Sequence, residues 1–269
     1  MTEDQLRIAA TAAHFDLFTA EGRGRSHQAL VDLFLGMQEF IRPKTFLEVG
    51  AFDARFSRMA RERHPSAKVI AFEASPDNHA HHGRNFDFAG ARIDYEHLAV
   101  SDEVGTISFQ IQTRRSGVEA PRVKGDDSLL KRTVSEQHPL YQDVEYETVT
   151  VNTVTLDAFL ADAMFATDDF SCWIDVEGAS EKVFGGAASI VPRMQSIFIE
   201  VEEKPHWSGQ WMFSDVERFL NANGFRAVAR DFEFEHQFNV VFVHDRVTRH
   251  YGFSQHMVRY LNRIGRNLP

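Results

Sequence analysis

Cysteine is almost missing from this chain: Cys172 is the single one among 269 residues, set in an apolar stretch. No internal disulfide can form, and the thiol reads as a small buried hydrophobe. Long apolar runs are missing too, with nothing near the ~18 residues that a membrane helix needs. Positive charge is in deficit, 29 Lys and Arg against 39 Asp and Glu, for a formal net charge of −10. A surface of that sign repels phosphate backbones unless its basic residues gather in one patch. The basic clusters here are short, Arg114-Arg115 and Lys131-Arg132, so no nucleic-acid partner is expected. The first residues, Met1-Thr2-Glu3-Asp4, are acidic where a secretory signal would be basic. These absences predict a soluble cytoplasmic protein with no membrane partner; its oligomeric state is not legible.

What is present fits a folded domain. Hydrophobic residues make up 43% and charged residues 25%, an ordinary globular balance in a chain long enough to bury a core unaided. Residues 1–44 read as an N-terminal helical cap. Leu6, Ala10, Ala13 and Leu17 recur at helical spacing, and Gly22-Arg23-Gly24 breaks the pattern. A second helix starts at an N-cap on Ser26 and runs through Leu30, Leu33, Phe34, Met37 and Ile41 to Pro43. Residues 45–245 alternate short apolar runs with helical segments, the pattern of a parallel sheet with crossover helices. Strands are predicted at Thr45–Val49, Lys68–Glu73, Arg92–Leu98, Cys172–Val176, Ser196–Glu202, Arg226–Arg230 and Asn239–Val243. Helices are predicted at Arg55–Arg63, Pro76–Asn85, Ala179–Ile190 and Ser214–Asn223. The segment 104–160 interrupts this rhythm with strand-period alternation around a polar stretch, Gly117–Lys131, and reads as an inserted β-excursion with a long loop. A helical tail, 246–269, follows with Met257, Leu261 and Ile264 on one face.

Ligands of doubly wound sheets bind beyond the C-terminal ends of the strands, and three such ends carry acids. The first is Glu48-Val49-Gly50-Ala51-Phe52-Asp53, where Gly50 permits close backbone approach and Glu48 could accept from a cationic amino group. The second is Phe72-Glu73-Ala74-Ser75-Pro76, whose acid is placed to take the two hydroxyls of an adenosine ribose. No further loop glycine follows Gly50, so the G-x-G-x-x-G that cradles a pyrophosphate is missing. The third is Trp173-Ile174-Asp175-Val176-Glu177-Gly178. Its carboxylates could hold a cofactor, accept a proton or ligate a divalent cation, or Glu177 could cap the helix that follows.

The order Glu48-Val49-Gly50-Ala51, Ala71-Phe72-Glu73-Ala74-Ser75-Pro76, Leu98-Ala99-Val100-Ser101-Asp102, Gly105, Asp126-Asp127-Ser128-Leu129, Thr155-Leu156-Asp157 and Ile174-Asp175-Val176-Glu177-Gly178-Ala179 resembles the FkbM family of methyltransferases, from about Thr45 to His244. The resemblance implies a class I methyltransferase fold: α/β, Rossmann-like, doubly wound, with a mostly parallel seven-stranded sheet. It implies S-adenosylmethionine as methyl donor and O-methylation of a small molecule such as a sugar or polyketide. By position, Glu48, Gly50, Ala51 and Asp53 would flank the methionine moiety, and Glu73, Ala74 and Ser75 the ribose. Ala99, Val100 and Ser101 would edge the adenine, Ser128 would reach in from the long loop, and Asp175 and Glu177 would face the reacting centre. The sequence departs from the family at Phe52 and Ala54, where Asn and a second Gly are usual, and at Glu48, where Asp is more common.

A hydroxyl acceptor needs its proton removed, and the candidates are Asp175, Glu177 and His206. Trp207 and Trp211 could stack on an acceptor ring or belong to the core, and His79, His81 and His82 read as surface residues. A magnesium ion held by Asp175, Glu177 and Glu200 is chemically admissible, though their spacing has no metal-specific pattern. Two other readings share the fold: a nicotinamide-dependent oxidoreductase, and a non-catalytic adenosine-binding protein whose crevice Phe52 blocks.

Overall fold

A computed structural model of the chain describes residues 8–133 and 143–265. The central sheet has seven strands: β1 (Thr45–Val49), β2 (Lys68–Phe72), β3 (Asp94–Glu96), β8 (Phe170–Ile174), β9 (Met194–Glu202), β10 (Phe225–Arg230) and β11 (Gln237–His244). Their order across the sheet is β10-β11-β9-β8-β1-β2-β3. Strands β3, β2, β1, β8 and β9 run parallel, while β11 is antiparallel to both β9 and β10. The direction of winding reverses at β1, which lies between β2 and β8, so the crevice beyond Val49 is the switch point at which such sheets bind ligands. The expected doubly wound, mostly parallel seven-stranded architecture is present.

The excursion is a second sheet of four strands, β4 (Ala99–Val100), β5 (Gly105–Arg115), β6 (Val118–Glu119) and β7 (Glu145–Val154), in the order β4-β7-β5-β6. Only part of the predicted strand Arg92–Leu98 forms. Arg92 is left-handed (φ 56°), β3 is three residues long, and Ala99–Val100 joins β7 in the other sheet. The chain therefore changes sheets at His97-Leu98, beside the crevice.

Helix α1 (Ala20–Ile41) covers one face of the central sheet, with α2 (Arg55–Arg63) next to it and α3 (Pro76–Asn85) after β2. Phe34 is fully buried, its ring 6.3 Å from Phe46, 6.0 Å from Trp173 and 5.6 Å from Phe198. On the other face α5 (Ser180–Gly185) and α6 (Phe213–Ala222) bury Val183, Phe184, Val216 and Leu220, and a short α4 (Leu156–Phe159) leads into β8. Two helical segments follow β11, the short α7 (Asp245–Thr248) and the longer α8 (Tyr251–Gly265), with Ile264 buried and Leu261 exposed.

Four expectations need correcting. Helix α1 begins at Ala20, capped by Thr19 whose side chain accepts from Gly22 N–H, so Ser26 is interior. The glycines do not break the helix: a Cβ on Gly22 would lie 1.9 Å from the Asp16 carbonyl oxygen, so Gly22 lets the preceding chain cross close to it. Before that crossing only the turn Thr11–His14 is helical beyond Ile8–Ala10, and Phe15 is extended, which leaves Leu17 off the predicted first helix. Finally, Ala179–Ile190 is cut short at Gly185-Gly186, where the chain turns.

Removing the Phe34 ring would leave a cavity between α1 and the sheet. Phe34→Ala is expected to cost ~3–5 kcal/mol, measured by chemical denaturation; a loss below ~1 kcal/mol would mean that α1 is not part of the core.

Candidate active site

Glu73 and Asp175 stand one residue beyond the ends of β2 and β8, so their carboxylates project into the crevice instead of into the sheet faces. Between them the β1 turn is held by Gly50. Its φ is +80°, and a Cβ there would lie 1.7 Å from the Asp175 carbonyl oxygen, so no side chain fits between the two strand ends. The crevice lies at the switch point of the sheet, half open to solvent. Leu98, Ala99, Val100, Phe109 and Leu129 form its apolar wall, and Glu73, Asn78, Asp127, Asp175 and Glu177 its polar one.

Ser128 is drawn into the site from the inserted loop. Its backbone pairs with Gln110 of β5, and its hydroxyl donates to the Glu177 carbonyl at 2.7 Å. Next to it, the buried Asp127 carboxylate accepts from Gln112 N–H and pairs with Lys124 Nζ at 2.9 Å. Asn78 ties the same loop to α3 through Lys124. This loop is the outer wall of the cavity.

Glu73 accepts from Phe52 N–H and Ser75 N–H, each at 2.7 Å. Burial, against those hydrogen bonds, pushes its pKa up to about 7. The Asn78 side chain also bonds Glu73, which leaves acceptor capacity for a ribose hydroxyl on the cavity side, and the adjoining apolar wall suits an adenine ring. The residues present therefore fit an adenosine cofactor.

Not every residue expected at the site reaches the cavity. Gly50, Glu73, Ala74, Ala99, Val100, Ser128, Asp175 and Glu177 line it; Glu48, Ala51, Asp53, Ser75, Ser101 and His206 do not. Glu48 lies inside β1, in register with Ala71 and Trp173, and so faces α2, where it accepts from Ser57 N–H at 2.6 Å. Asp53 pairs with Arg58, Ser75 caps α3, Ser101 bonds Asp102, and Ala51 N–H donates to the Phe72 carbonyl. His206 is half-buried in the loop after β9, its backbone joined to Gln210 and Thr133. Trp207 is buried beneath the Arg132 guanidinium, and Trp211 packs on Phe184 and Phe219. Phe52 stands on the cavity wall with its ring against His82, so it does not fill the crevice. Glu177 caps no helix: the α5 N-cap is Ala179, with no side-chain cap.

On the α1 side, carboxylates crowd together. Oxygens of Asp175, Glu177 and Glu200 lie within 4.8 Å of one another. Burial first, and mutual repulsion for most of them, raise the whole group: Asp175 to about 6 despite His27, Glu202 to about 7, and Glu177 and Glu200 well above the ordinary range. Beside them is a pair that the sequence did not reveal. His27 of α1 shares a hydrogen bond of 2.9 Å between its Nδ1 and the fully buried Asp231, and Asp231 also accepts from Asn239 N–H and Nδ2. Burial alone would lower the His27 pKa; Asp231, with Glu233 and Asp175 adding, outweighs it and raises the value above the ordinary one. Nothing near His27 in sequence marks it, because its partner is 204 positions away.

A doubly wound sheet with an acid-lined crevice at its switch point is the architecture of nucleotide-cofactor enzymes. The FkbM methyltransferase domain model matches residues 48–227, and the chain belongs to that family, an S-adenosylmethionine-dependent methyltransferase. A search of curated proteins finds no match. Solved structures of similar shape include human N-acetylserotonin methyltransferase with S-adenosylmethionine (11% identity, TM-score 0.39), covering 81% of this chain and about half, 51%, of that one. M. capricolum TrmK with S-adenosylhomocysteine is 7% identical, TM-score 0.41, over 78% of this chain and 67% of that one. Precorrin-6y C5,15-methyltransferase from Geobacter metallireducens is 12% identical, TM-score 0.36, over 83% and 87%. These likenesses are too remote to bear on the substrate. No described helix is long and apolar enough to cross a membrane.

The structural acid Glu48 has a measurable signature. Burial, against hydrogen bonds from Ser57 and Phe56, pushes its pKa from 4.5 to about 8. A raised acid holds its proton longer in the native state, so its stabilising contribution is full below 4.5 and lost as pH rises through about 8. Glu48→Gln is therefore expected to flatten the decline in Tm across that window, read by thermal unfolding at stepped pH. An unchanged slope would mean that Glu48 is ionised in the native protein.

Proposed function

We propose that the chain methylates a hydroxyl group on a small molecule such as a sugar or polyketide, with S-adenosylmethionine as donor. The observation that supports O-methylation is the His27–Asp231 pair, set within electrostatic reach of Asp175 on the cavity wall. A hydroxyl must lose its proton as it attacks, and a histidine steadied by a buried carboxylate is suited to take it. With Nδ1 committed to Asp231, the free nitrogen of the neutral ring is Nε2, and the Asp231 charge stabilises the imidazolium that forms.

When bound, S-adenosylmethionine supplies a methyl group on a sulfonium, open to in-line attack by the acceptor oxygen. Glu73 holds the ribose and the Leu98–Val100 edge holds the adenine, while the bare Gly50 backbone admits the methionine end. Aligning donor and acceptor is worth several kcal/mol of the barrier. Asp175 and Glu177 favour the cationic donor. Because that charge disappears in the transition state, they assist only if they do not hold the ground state too tightly. The net charge of −10 and the acidic wall speak against a polyphosphate acceptor.

Calorimetric titration is expected to show micromolar binding of S-adenosylmethionine and S-adenosylhomocysteine but not NAD, lost in Glu73→Ala. Against a panel of hydroxylated acceptors, His27→Ala should lower kcat by ~10²–10⁴-fold with S-adenosylhomocysteine affinity unchanged. Binding of NAD alone, or methyl transfer to amines or RNA but not to hydroxyls, would defeat this reading.

A further inference from the structure

Two groups of metal-ligating side chains lie on the α1 side of the crevice, and their hydrogen bonding separates them. In the first, His27, Asp231 and Glu233, the central Asp231 is satisfied: Oδ1 accepts from Asn239 N–H, and Oδ2 accepts from Asn239 Nδ2 and faces His27. That group is a closed hydrogen-bond network.

The second is Asp175, Glu177 and Glu200. Here Glu177 Oε2 and Glu200 Oε1 are buried and have no hydrogen-bond partner. Glu202, 2% exposed, follows Glu200 on the same face of β9. Its Oε2 accepts from Gln210, but its Oε1 is unpartnered, and Asp175 and Glu200 both feel its charge. Buried carboxylate oxygens without a donor are costly. The cationic side chains that the described residues bring to these four carboxylates are Arg132, 3.9 Å from Glu177, and His27. Arg132 is shared with Asp126 and His27 is committed to Asp231, so neither is dedicated to the unpartnered oxygens.

We propose that Asp175, Glu177 and Glu200 bind one hard divalent cation (magnesium, manganese or calcium) at the acceptor side of the methyl-transfer crevice. All three residues offer the carboxylate oxygens such ions prefer, and an ion of this class bonds oxygen at ~2.0–2.6 Å. The 4.8 Å limit on the ligand separations is about twice the upper part of that range, so one ion can touch all three with small side-chain adjustments. Because Asp175 and Glu177 also line the cofactor cavity, the ion has a role in the proposed function and rests on it: it would bind the acceptor hydroxyl and lower its pKa before His27 accepts the proton.

The test uses the whole chain and manganese chloride as probe, with bound ion followed by electron paramagnetic resonance and S-adenosylhomocysteine binding followed by calorimetry on the same samples. One Mn²⁺ per chain is expected, displaced by Mg²⁺ or Ca²⁺. Glu200→Gln should weaken it at least tenfold while leaving S-adenosylhomocysteine affinity intact, since Glu200 does not line the cofactor cavity; that retained affinity also shows that the variant is folded. Glu233→Gln should leave Mn²⁺ binding unchanged. No saturable Mn²⁺ binding by protein that binds S-adenosylhomocysteine would overturn the proposal. So would binding that is indifferent to Glu200→Gln, or that is lost in Glu233→Gln instead. Failure to bind S-adenosylhomocysteine with Mn²⁺ binding intact would keep the cation site and remove the methyl-transfer reading beneath it.

Discussion

The contact of the Gly50 backbone with the Asp175 carbonyl is the constraint on which the crevice depends. Parallel strands β1 and β8 are hydrogen-bonded neighbours up to Val49 and Ile174. Beyond that register the chain must turn outward on both sides of the switch point within one residue. A left-handed residue without a Cβ allows it, and the Asp175 N–H then donates to the Val49 carbonyl at 2.9 Å. With the turn this tight, the side chains just beyond the strands, Glu73 and Asp175, project into one cavity. A looser turn would separate Glu73 from Asp175.

Burial of acid is the second constraint, and the structure meets it in two ways. Glu48 and Glu73 are buried singly, and each receives backbone N–H groups at the start of a helix or turn. Such carboxylates hold the architecture together and ask nothing of a ligand, although Glu73 retains capacity on the cavity side. The group at the ends of β8 and β9 is different. Its members repel one another, and Glu177 is itself left-handed (φ 50°), a conformation that costs a non-glycine residue ~1–2 kcal/mol. Strain and unmet charge in one place are where functional chemistry tends to concentrate.

Much of this was readable from single segments. Alternation and length identify all seven central strands because each is a short apolar run bounded by turn residues. The acids at Glu73 and Asp175 are legible because they terminate such runs. Glu48 looks identical on the page, yet register pairs it with Ala71 and Trp173, two positions before Glu73 and Asp175, so it is still within the sheet and its side chain lies on the α2 face instead of beyond the strand ends. His27 was not legible at all. It occupies an unremarkable turn of a helix, and its meaning comes from Asp231 and Asn239 in strands folded against it. His206 attracted notice for following a strand, but its loop carries it away from the cavity.

The two departures from the family motif are explained by the same turn. Phe52 and Ala54, where Asn and Gly are usual, both have left-handed backbones, φ 48° and 53°. Glycine takes that conformation without penalty, and Asn more readily than most residues. This chain therefore carries backbone strain at two positions where Gly or Asn would carry less, and something must hold the loop against it. The Phe52 N–H donates to Glu73 and its carbonyl accepts from the Tyr95 hydroxyl, so both backbone polar groups of that residue are tied to the β2–β3 side. Ala54 is fully buried and its N–H is bonded to the Ala51 carbonyl at 2.6 Å. The Phe52 ring, resting on His82, adds an apolar surface at the cavity rim that Asn would not provide. The Phe52 side chain thus trades backbone ease for apolar wall area at the crevice, and the loop keeps its path because Glu73 anchors it.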